Sequence, residues 1–305
     1  LAAARYLTQS KQFDGTVQFI FQPAEEANDI GSGAKAMIDD GLFDRFPVDN
    51  VFALHNSPAL MSGVVATRAG SMTASADLFD VTLHAKGCHG AYPSDGNDPL
   101  MIATHMLSAW QTIVSRNVEP QQAAVLSACS INAGDSWNVI PESAVIRGNV
   151  RTHSTDVRDL IERRFHEITQ QIAQAFGATV DINYRRCLPN TVNDSNQTQF
   201  ACDVADPIFG EDRVLRTVPI DMGSEDFAYM LQQRPGCYLL LGTAEMTEQN
   251  KLLQGKNINQ IELDAFVFKN ACMLHQPTYD FNDKAIPAGA TLLARLAEQY
   301  LHQRL

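Results

Sequence analysis

Residues 76–86 read Ala-Asp-Leu-Phe-Asp-Val-Thr-Leu-His-Ala-Lys and open the most regular part of the chain. Apolar residues at Leu78, Val81 and Leu83 predict a β-strand. Asp98-Pro99 then predicts the start of a helix, because proline is favoured in the first helical turn. Further strands, a helix and a last strand are predicted over 123–133, 143–152, 156–176 and 179–184. This β-α-β-β-α-β order indicates a compact α+β unit of the ferredoxin-like type, which can fold as its own domain.

The sequence on either side of this unit alternates between helix and strand patterns. Residues 16–21 (Thr-Val-Gln-Phe-Ile-Phe) are β-branched and aromatic and are stopped by Pro23, which predicts a buried strand. The opening residues 1–7, already helical in pattern and without Met or a signal-peptide pattern, predict that an N-terminal portion precedes them. The other predicted elements are a helix over 33–43, a strand over 51–55 and a last helix over 287–303.

This alternation predicts an α/β catalytic domain, with helices around a mixed or parallel sheet. The predicted boundaries are 1–73 and 188–305 for the α/β domain. The α+β unit is predicted to interrupt it as an inserted domain over 74–187.

Composition narrows the class of protein. The 305 residues carry a formal net charge of −12, which argues against a nucleic-acid partner because phosphates would be repelled. The sequence contains no run of about 18 apolar residues, so no membrane span is predicted. The six cysteines lack short regular spacing and favour reduced thiols in a cytoplasm, although a secreted disulfide framework stays open. They are Cys88, Cys129, Cys187, Cys202, Cys237 and Cys272.

Two adjacent carboxylates and two distant histidines are the main candidates for chemistry. Glu25 and Glu26 end Pro-Ala-Glu-Glu at 23–26, directly after a predicted strand, where the side chains of α/β sites project. One carboxylate can bind a metal while the other takes a proton from the attacking water. His55 and His275 are candidate further ligands. Taken alone, the acids also fit a solvated loop, and each histidine fits a hydrogen-bonded core residue.

A second set of candidates falls in the predicted inserted unit. His89 lies in the glycine-flanked loop Gly-Cys-His-Gly, and Asn138 and Arg151 follow later. Histidine and asparagine can donate hydrogen bonds to a developing oxyanion, and arginine can bind a carboxylate through two parallel bonds. A plain turn and a surface ion pair are the alternative interpretation.

In their order along the chain, these motifs resemble those of the M20 metallopeptidase superfamily, in the amidohydrolase branch of hippurate, N-acyl-amino-acid and auxin-conjugate hydrolases. The resemblance runs through nearly the whole chain. The matching motifs are Phe-Asp-Gly-Thr-Val (13–17), Phe-Gln-Pro-Ala-Glu-Glu (21–26), Ala-Met-Ile-Asp-Asp-Gly-Leu-Phe (36–43), Leu-His-Asn (54–56), Gly-Ser-Glu-Asp-Phe-Ala (223–228) and Tyr-Asp-Phe-Asn-Asp (279–283).

The resemblance implies roles for individual residues. Glu25 is then the general base, and His89 is a lid histidine that reaches across a dimer interface to the reacting carbonyl. The implied metal ligands are Glu26, His55 and His275, and the implied substrate-binding residues are Asn138, Arg151 and Ser224. The inserted domain is then a lid and dimerisation domain, and a homodimer is implied.

Two departures from the family pattern bear on the metal site. The upstream Cys-Gly-His-Asp stretch, which supplies a cysteine and a histidine ligand, is expected before residue 1, so Glu26, His55 and His275 alone cannot complete two closed metal sites. The stretch 245–270 is longer than the corresponding link in relatives and precedes His275, which is followed by Gln276 where many relatives have Asn.

Two functional hypotheses follow. The first is an enzyme that hydrolyses the amide bond of an N-acyl or N-aroyl amino acid with a pair of divalent metal ions; the retained ligands suit zinc, manganese, nickel or cobalt. The second is a truncated or degenerate homologue that has an incomplete metal site and acts as a dimeric, non-catalytic binding protein.

Overall fold

The computed structural model describes residues 1–26, 32–245 and 272–302, which form eight helices longer than a single 3₁₀ or π turn and twelve strands. The helices are α1 (Ala2–Ser10), α2 (Gly33–Asp39), α3 (Leu42–Arg45), α4 (Pro99–Thr112), α5 (Thr155–Ala175), α6 (Ser195–Phe209), α7 (Phe227–Gln233) and α8 (Ile286–His302). The strands are β1 (Val51–Met61), β2 (Val65–Ala66), β3 (Gly70–Thr73), β4 (Ala76–His84), β5 (Cys88–His89), β6 (Ala124–Asn132), β7 (Val139–Ile140), β8 (Ser143–Thr152), β9 (Thr179–Leu188), β10 (Thr191–Asn193), β11 (Val214–Leu215) and β12 (Gly236–Ala244).

The first four-stranded sheet is mixed and has helices on both faces. Its strand order is β1-β12-β2-β11, with β1 parallel to β12 and β12 antiparallel to β2. Side chains alternate between the two faces of a strand. Leu239 and Leu241 of β12 accordingly pack in one core with α6 and α8, while Tyr238 packs in another with α2, α3 and α7. The predicted α/β architecture is confirmed here.

The second four-stranded sheet is antiparallel, and two helices cover one of its faces. Its strand order is β6-β8-β4-β9, and α4 and α5 close a core around Phe79, Trp110 and Phe165. The strands of this sheet and its two helices follow one another along the chain in the order β-α-β-β-α-β that the sequence predicts, with the short strands β5 and β7 between them. Leu78 lies on the face away from the core that contains Val81, because an odd separation places two strand residues on opposite faces.

Local signals account for the helix boundaries. Asp98 accepts a hydrogen bond from the backbone N–H of Leu100 at 2.9 Å and caps α4. The helix predicted over 33–43 is divided into α2 and α3 at Gly41, whose φ of 83° is accessible to glycine at little cost. Gly177, with φ of 68°, follows α5 in the same way.

The prediction of a buried strand over 16–21 is wrong. Phe19 and Phe21 are 40% and 65% exposed, and no ladder hydrogen bond pairs this segment with another described strand. Its β-branched and aromatic residues favour an extended backbone, but a strand also needs a neighbouring strand to satisfy its N–H and C=O groups. The predicted insertion over 245–270 lies, apart from Glu245, outside the described residues.

The chain passes between the two parts of the fold twice, from β3 to β4 and from β9 to β10. Between β3 and β4, the Ser75 N–H donates to the Thr152 carbonyl at 2.7 Å, and the Thr73 hydroxyl donates to Thr191 Oγ1 at 2.5 Å. Ser75, Thr152 and Thr191 are all buried. Within the described part of the chain, no helix is long and apolar enough to cross a membrane, and all six cysteines are free thiols.

Candidate active site

Glu25, the predicted general base, lies close to three other acidic side chains. Glu25 and Glu26 form a turn after Ala24, whose φ is 55°. Partial burial, then the charges of Glu225, Glu26 and Asp226, raise the pKa of Glu25 to about 7, while a hydrogen bond from the Asp226 backbone opposes the rise. Glu25 can therefore exchange a proton near neutral pH, as a general base or acid must.

Glu225 and Asp226 approach Glu25 and Glu26 from the loop before α7, and we call the region around these four acids the acidic crevice. The Glu225 carboxylate accepts hydrogen bonds from the Tyr238 hydroxyl at 2.9 Å and from the Phe227 N–H at 3.1 Å. Asp226 accepts from the Ala34 N–H at 3.0 Å at the start of α2. Both acids are buried, and Asp226 is 0% exposed. These bonds fix two buried carboxylates beside Glu25.

Asp226 also connects the segment containing Glu25 to the start of α7. Its carboxylate accepts a hydrogen bond from the Gln22 side-chain amide, three residues before Glu25. The loop before α7 therefore positions the Pro-Ala-Glu-Glu segment, in which strand pairing is absent among the described residues.

His55 lies within β1, which continues beyond the predicted end of the strand to Met61. Its Nδ1 is 2.7 Å from the Asn56 carbonyl oxygen, so the tautomer that donates this bond leaves Nε2 free to bind a ligand. The Asn56 side chain donates to the Tyr279 hydroxyl at 2.5 Å, which connects β1 to the segment containing His275. Burial raises the pKa of Glu225, and the hydrogen bonds from the Phe227 N–H and the Tyr238 hydroxyl oppose that rise.

His275 and Glu26 come together from opposite ends of the chain. The distance from His275 Nδ1 to Glu26 Oε2 is 3.8 Å, and both side chains are 72% exposed. An imidazole nitrogen and a carboxylate oxygen at this separation can share one divalent cation. The left-handed backbone of His275, with φ of 67°, aims this side chain.

The donor types fit a metal ion, but only part of the ligand set is assembled. Within residues 1–26, 32–245 and 272–302, no three His, Cys, Asp or Glu side chains are grouped closely enough to hold an ion. His55 therefore does not join Glu26 and His275 in one cluster.

Two of the predicted substrate-binding residues, Arg151 and Ser224, are in contact. The Arg151 guanidinium, near the end of β8, donates to the Ser224 hydroxyl at 2.9 Å, and Ser224 directly precedes Glu225. A cationic group thus stands at the border of the acidic crevice, where it can bind an anionic substrate group.

His89 and Asn138 lie elsewhere. They belong to the ribbon formed by β5 and β7, where His89 pairs with Val139 and the Gly90 N–H donates to the Asn138 carbonyl at 2.7 Å. This ribbon continues the β4–β8 ladder past Ser143. Arg151 lies eight residue positions along β8 from Ser143, which corresponds to about 27 Å. His89 is therefore far from Glu25 of the same chain.

Sequence reasoning missed Glu225, Asp226 and Tyr238 as parts of the site. Two adjacent acids in Gly-Ser-Glu-Asp-Phe, the same arrangement as Glu25-Glu26, were the available signal. Tyr238 gave none, because a tyrosine in an apolar strand is ordinary in a core.

The sequence of the chain matches a known protein family. Residues 1–252 match the sequence model of the family described as "Peptidase family M20/M25/M40". The chain belongs to this family. It is 36% identical to a hippurate hydrolase of Campylobacter jejuni over 99% of the chain and 71% of that protein. It is 39% identical to the N-acetyl-L-cysteine deacetylase of Bacillus subtilis over 80% of the chain and 57% of that protein.

A solved structure extends the likeness to the fold. The chain superimposes on a dinuclear metal-binding peptidase of the M20 family from Bacillus subtilis with a TM-score of 0.72 and 27% identity. The match covers 99% of this chain and 70% of the other. The mixed α/β fold and the membership of a metal-binding hydrolase family, both expected from the motifs, are confirmed.

Proposed function

We propose that this M20-family chain hydrolyses the amide bond of N-acyl or N-aroyl amino acids, including hippurate-like substrates. The observation that supports this most strongly is Glu25, with its pKa raised to about 7, beside the Glu26–His275 pair. A carboxylate with a pKa near neutral can both accept and return a proton in one turnover. The relatives named as a hippurate hydrolase and an N-acetyl-L-cysteine deacetylase point to the same class of bond.

We assign Glu26, His55 and His275 as three of the ligands of a two-ion site for zinc, manganese, nickel or cobalt. When bound, a divalent cation there would lower the pKa of the attacking water and polarise the amide carbonyl. Glu25 takes a proton from the water and then delivers it to the leaving amine nitrogen. The hydrogen bond from His55 to the Asn56 carbonyl orients the imidazole for binding.

Substrate binding is assigned to Arg151, Ser224 and Asn138. Arg151 already donates to Ser224 at 2.9 Å, so the guanidinium is oriented toward the crevice before a substrate arrives. Its remaining N–H groups can bind the carboxylate of an N-acyl amino acid. The net charge of −12 does not oppose this, because binding depends on the local charges.

We propose a homodimer in which residues 74–187 form the ferredoxin-like lid and dimerisation domain, and residues 1–73 with 188–305 form the catalytic domain. The length of β8 supports the homodimer. Arg151 lies near one end of this strand, and His89 lies beyond the other end, which is about 27 Å away. His89 is too far to donate to a carbonyl at Glu25 of its own chain. It reaches the site of a second copy instead, and the free thiols favour a cytoplasmic enzyme.

A second candidate is a non-catalytic homologue that binds acyl amino acids. The observation in its favour is that only Glu26 and His275 of the three assigned ligands come together in the described residues. Two measurements on the purified protein distinguish the hydrolase from the non-catalytic homologue: its metal content, and its rate of hippurate hydrolysis with zinc or manganese added. About two ions per chain and turnover that Glu25→Gln abolishes support the hydrolase; substrate binding without metal or turnover supports the homologue.

A further inference from the structure

Asp226 stands where a helix-capping side chain is expected. It directly precedes α7, and aspartate at this position commonly accepts a hydrogen bond from an N–H group of the first helical turn. The Asp226 side chain makes no such bond in α7. It is nevertheless 0% exposed, and both of its carboxylate oxygens accept hydrogen bonds from other segments. A local role as helix cap therefore does not account for this buried carboxylate.

The two oxygens of Asp226 accept from the two sides of the turn that contains Glu25 and Glu26. Oδ1 accepts from the Gln22 side-chain amide before the turn, and Oδ2 accepts from the Ala34 N–H at 3.0 Å after it. The Asp226 backbone also donates to the Glu25 carboxylate. Two donors on opposite sides need two acceptor oxygens, which a carboxylate has and a side-chain amide lacks. These contacts explain why an acid occupies position 226.

Few other contacts hold this turn. A Cβ atom at Gly33 would lie 1.6 Å from the Pro23 carbonyl oxygen, so the two sides of the turn touch at the start of α2 where only glycine fits. Residues 16–21, which lead into the turn, belong to none of the described strands. Loss of the Asp226 bonds should therefore let the turn shift, because no sheet ladder opposes the movement.

A shift of this turn moves the groups assigned to the chemistry. Resting on the function proposed above, we infer that Asp226 is a positioning residue whose side-chain carboxylate fixes the place of Glu25 and Glu26. The carboxylate acts through Gln22 and Ala34 and does not touch the substrate. A misplacement of about 1 Å in a reacting group can cost about 100-fold in rate.

Exchange of donor and acceptor tests the bond between Gln22 and Asp226. Asp226→Asn sets an amide N–H group against one of the two donors, and Gln22→Glu sets two carboxylates against each other. Each single variant should lower kcat for hippurate about 10- to 100-fold and leave KM within about twofold. The double variant Gln22→Glu/Asp226→Asn regains a donor and an acceptor with the wild-type net charge, so its kcat should return to within about threefold of wild type. Losses that simply add in the double variant would overturn the inference.

Two further variants distinguish positioning from a general loss of stability. Asp194 caps α6 by accepting from the Asn196 and Gln197 N–H groups, both at 2.9 Å. Asp194→Ala should lower the melting temperature and leave kcat within about twofold of wild type. Gln22→Leu, at a partly exposed position, removes the donor while Asp226 stays intact, and should lower kcat about tenfold. If Asp194→Ala loses as much kcat as Gln22→Leu, lost stability explains both and the inference is wrong.

Thermal unfolding distinguishes failure of this inference from failure of the proposed function, because it needs neither substrate nor metal. Asp226→Asn and Gln22→Glu should each lower the melting temperature, and their double variant should regain most of the loss. That recovery in a protein that does not hydrolyse hippurate would reject the hydrolase while supporting the bond. Hydrolysis by the wild-type protein with the same kcat in both single variants would overturn the inference alone.

Discussion

The Arg151 guanidinium donates a hydrogen bond to Ser224 Oγ at 2.9 Å, and this bond joins the second sheet to the loop before α7 at the border of the acidic crevice. Arg151 lies near the end of β8, and Ser224 directly precedes Glu225, whose charge acts on Glu25. The residue assigned to the substrate carboxylate is therefore held by the same loop that sets the protonation of the assigned base.

Removing the serine hydroxyl should weaken substrate binding. Ser224→Ala leaves Arg151 without this partner, and a hydrogen bond to a charged group contributes about 1.5–3 kcal/mol. Because the pair is only partly buried, we expect KM for hippurate to rise about tenfold with a smaller change in kcat. Ser130→Ala in β6 is the matched control, because this half-buried hydroxyl also takes part in a side-chain hydrogen bond, from Asn132 at 2.9 Å. An unchanged KM in Ser224→Ala would remove Ser224 from the binding site.

Replacing the assigned general base should abolish turnover but not metal binding. Glu25→Gln keeps the size of the side chain and removes the proton acceptor, so kcat should fall by about 10²–10⁴-fold. Metal content, measured by elemental analysis, should stay that of the wild-type protein. Comparable activity in Glu25→Gln would show that another group accepts the proton.

Glu25 should also make the metal-free protein less stable as the pH rises. Its pKa is about 7 in the folded protein against an ordinary value of 4.5, so between these values the native state binds more protons than the unfolded state. Stability then falls with increasing pH across that window.

The Glu25→Gln variant should not show this loss of folding stability with rising pH. The variant's stability relative to the wild-type protein should grow from pH 4.5 to pH 8 by about 1 kcal/mol, after allowance for solvent screening of a half-exposed group. Thermal unfolding with chelator present at several pH values is the measurement. A difference that is independent of pH would contradict the raised pKa.

The assigned ligands Glu26 and His275 should act on one ion. Their side chains lie 3.8 Å apart, so removal of either should lower affinity for zinc or manganese by about 100-fold or more, beyond the loss expected for an outer-shell residue. Calorimetric titration of Glu26→Gln and His275→Ala is the test, with His84→Ala as a control histidine. If the double variant loses much more than either single variant, the two residues serve different ions.

A buried ion pair should dominate the stability of the second sheet. Arg158 donates to both oxygens of Asp77, which is 0% exposed and also accepts from Tyr184 at 2.9 Å. Arg158→Met leaves that carboxylate unpaired and should destabilise the protein by about 3–5 kcal/mol.

An exposed pair in the same sheet is the control. Arg147 donates to Asp80 at 2.8 Å with its own side chain 62% exposed, so Arg147→Met should cost about 1 kcal/mol or less. Denaturant unfolding of both variants gives the comparison. Equal losses would mean that burial does not distinguish the two pairs.

Local patterns predicted most of the elements. The helix over 156–176 and the strands over 123–133 and 143–152 are present as α5, β6 and β8, because apolar periodicity is a local property that decides which face is buried. The strand expected over 16–21 is absent for the opposite reason. Strand formation depends on a partner that is distant in sequence, and the segment itself carries no information about it.

The same division applies to the site. The sequence by itself determined the family and the candidate residues Glu25, Glu26 and His275, because their chemistry and order along the chain are local facts. Only the tertiary structure decided the pKa of Glu25, since folding partly removes water from this carboxyl and brings Glu225 beside it from 200 residues away. It also decided that His89 is far from Glu25, because strand length and sheet register set that separation.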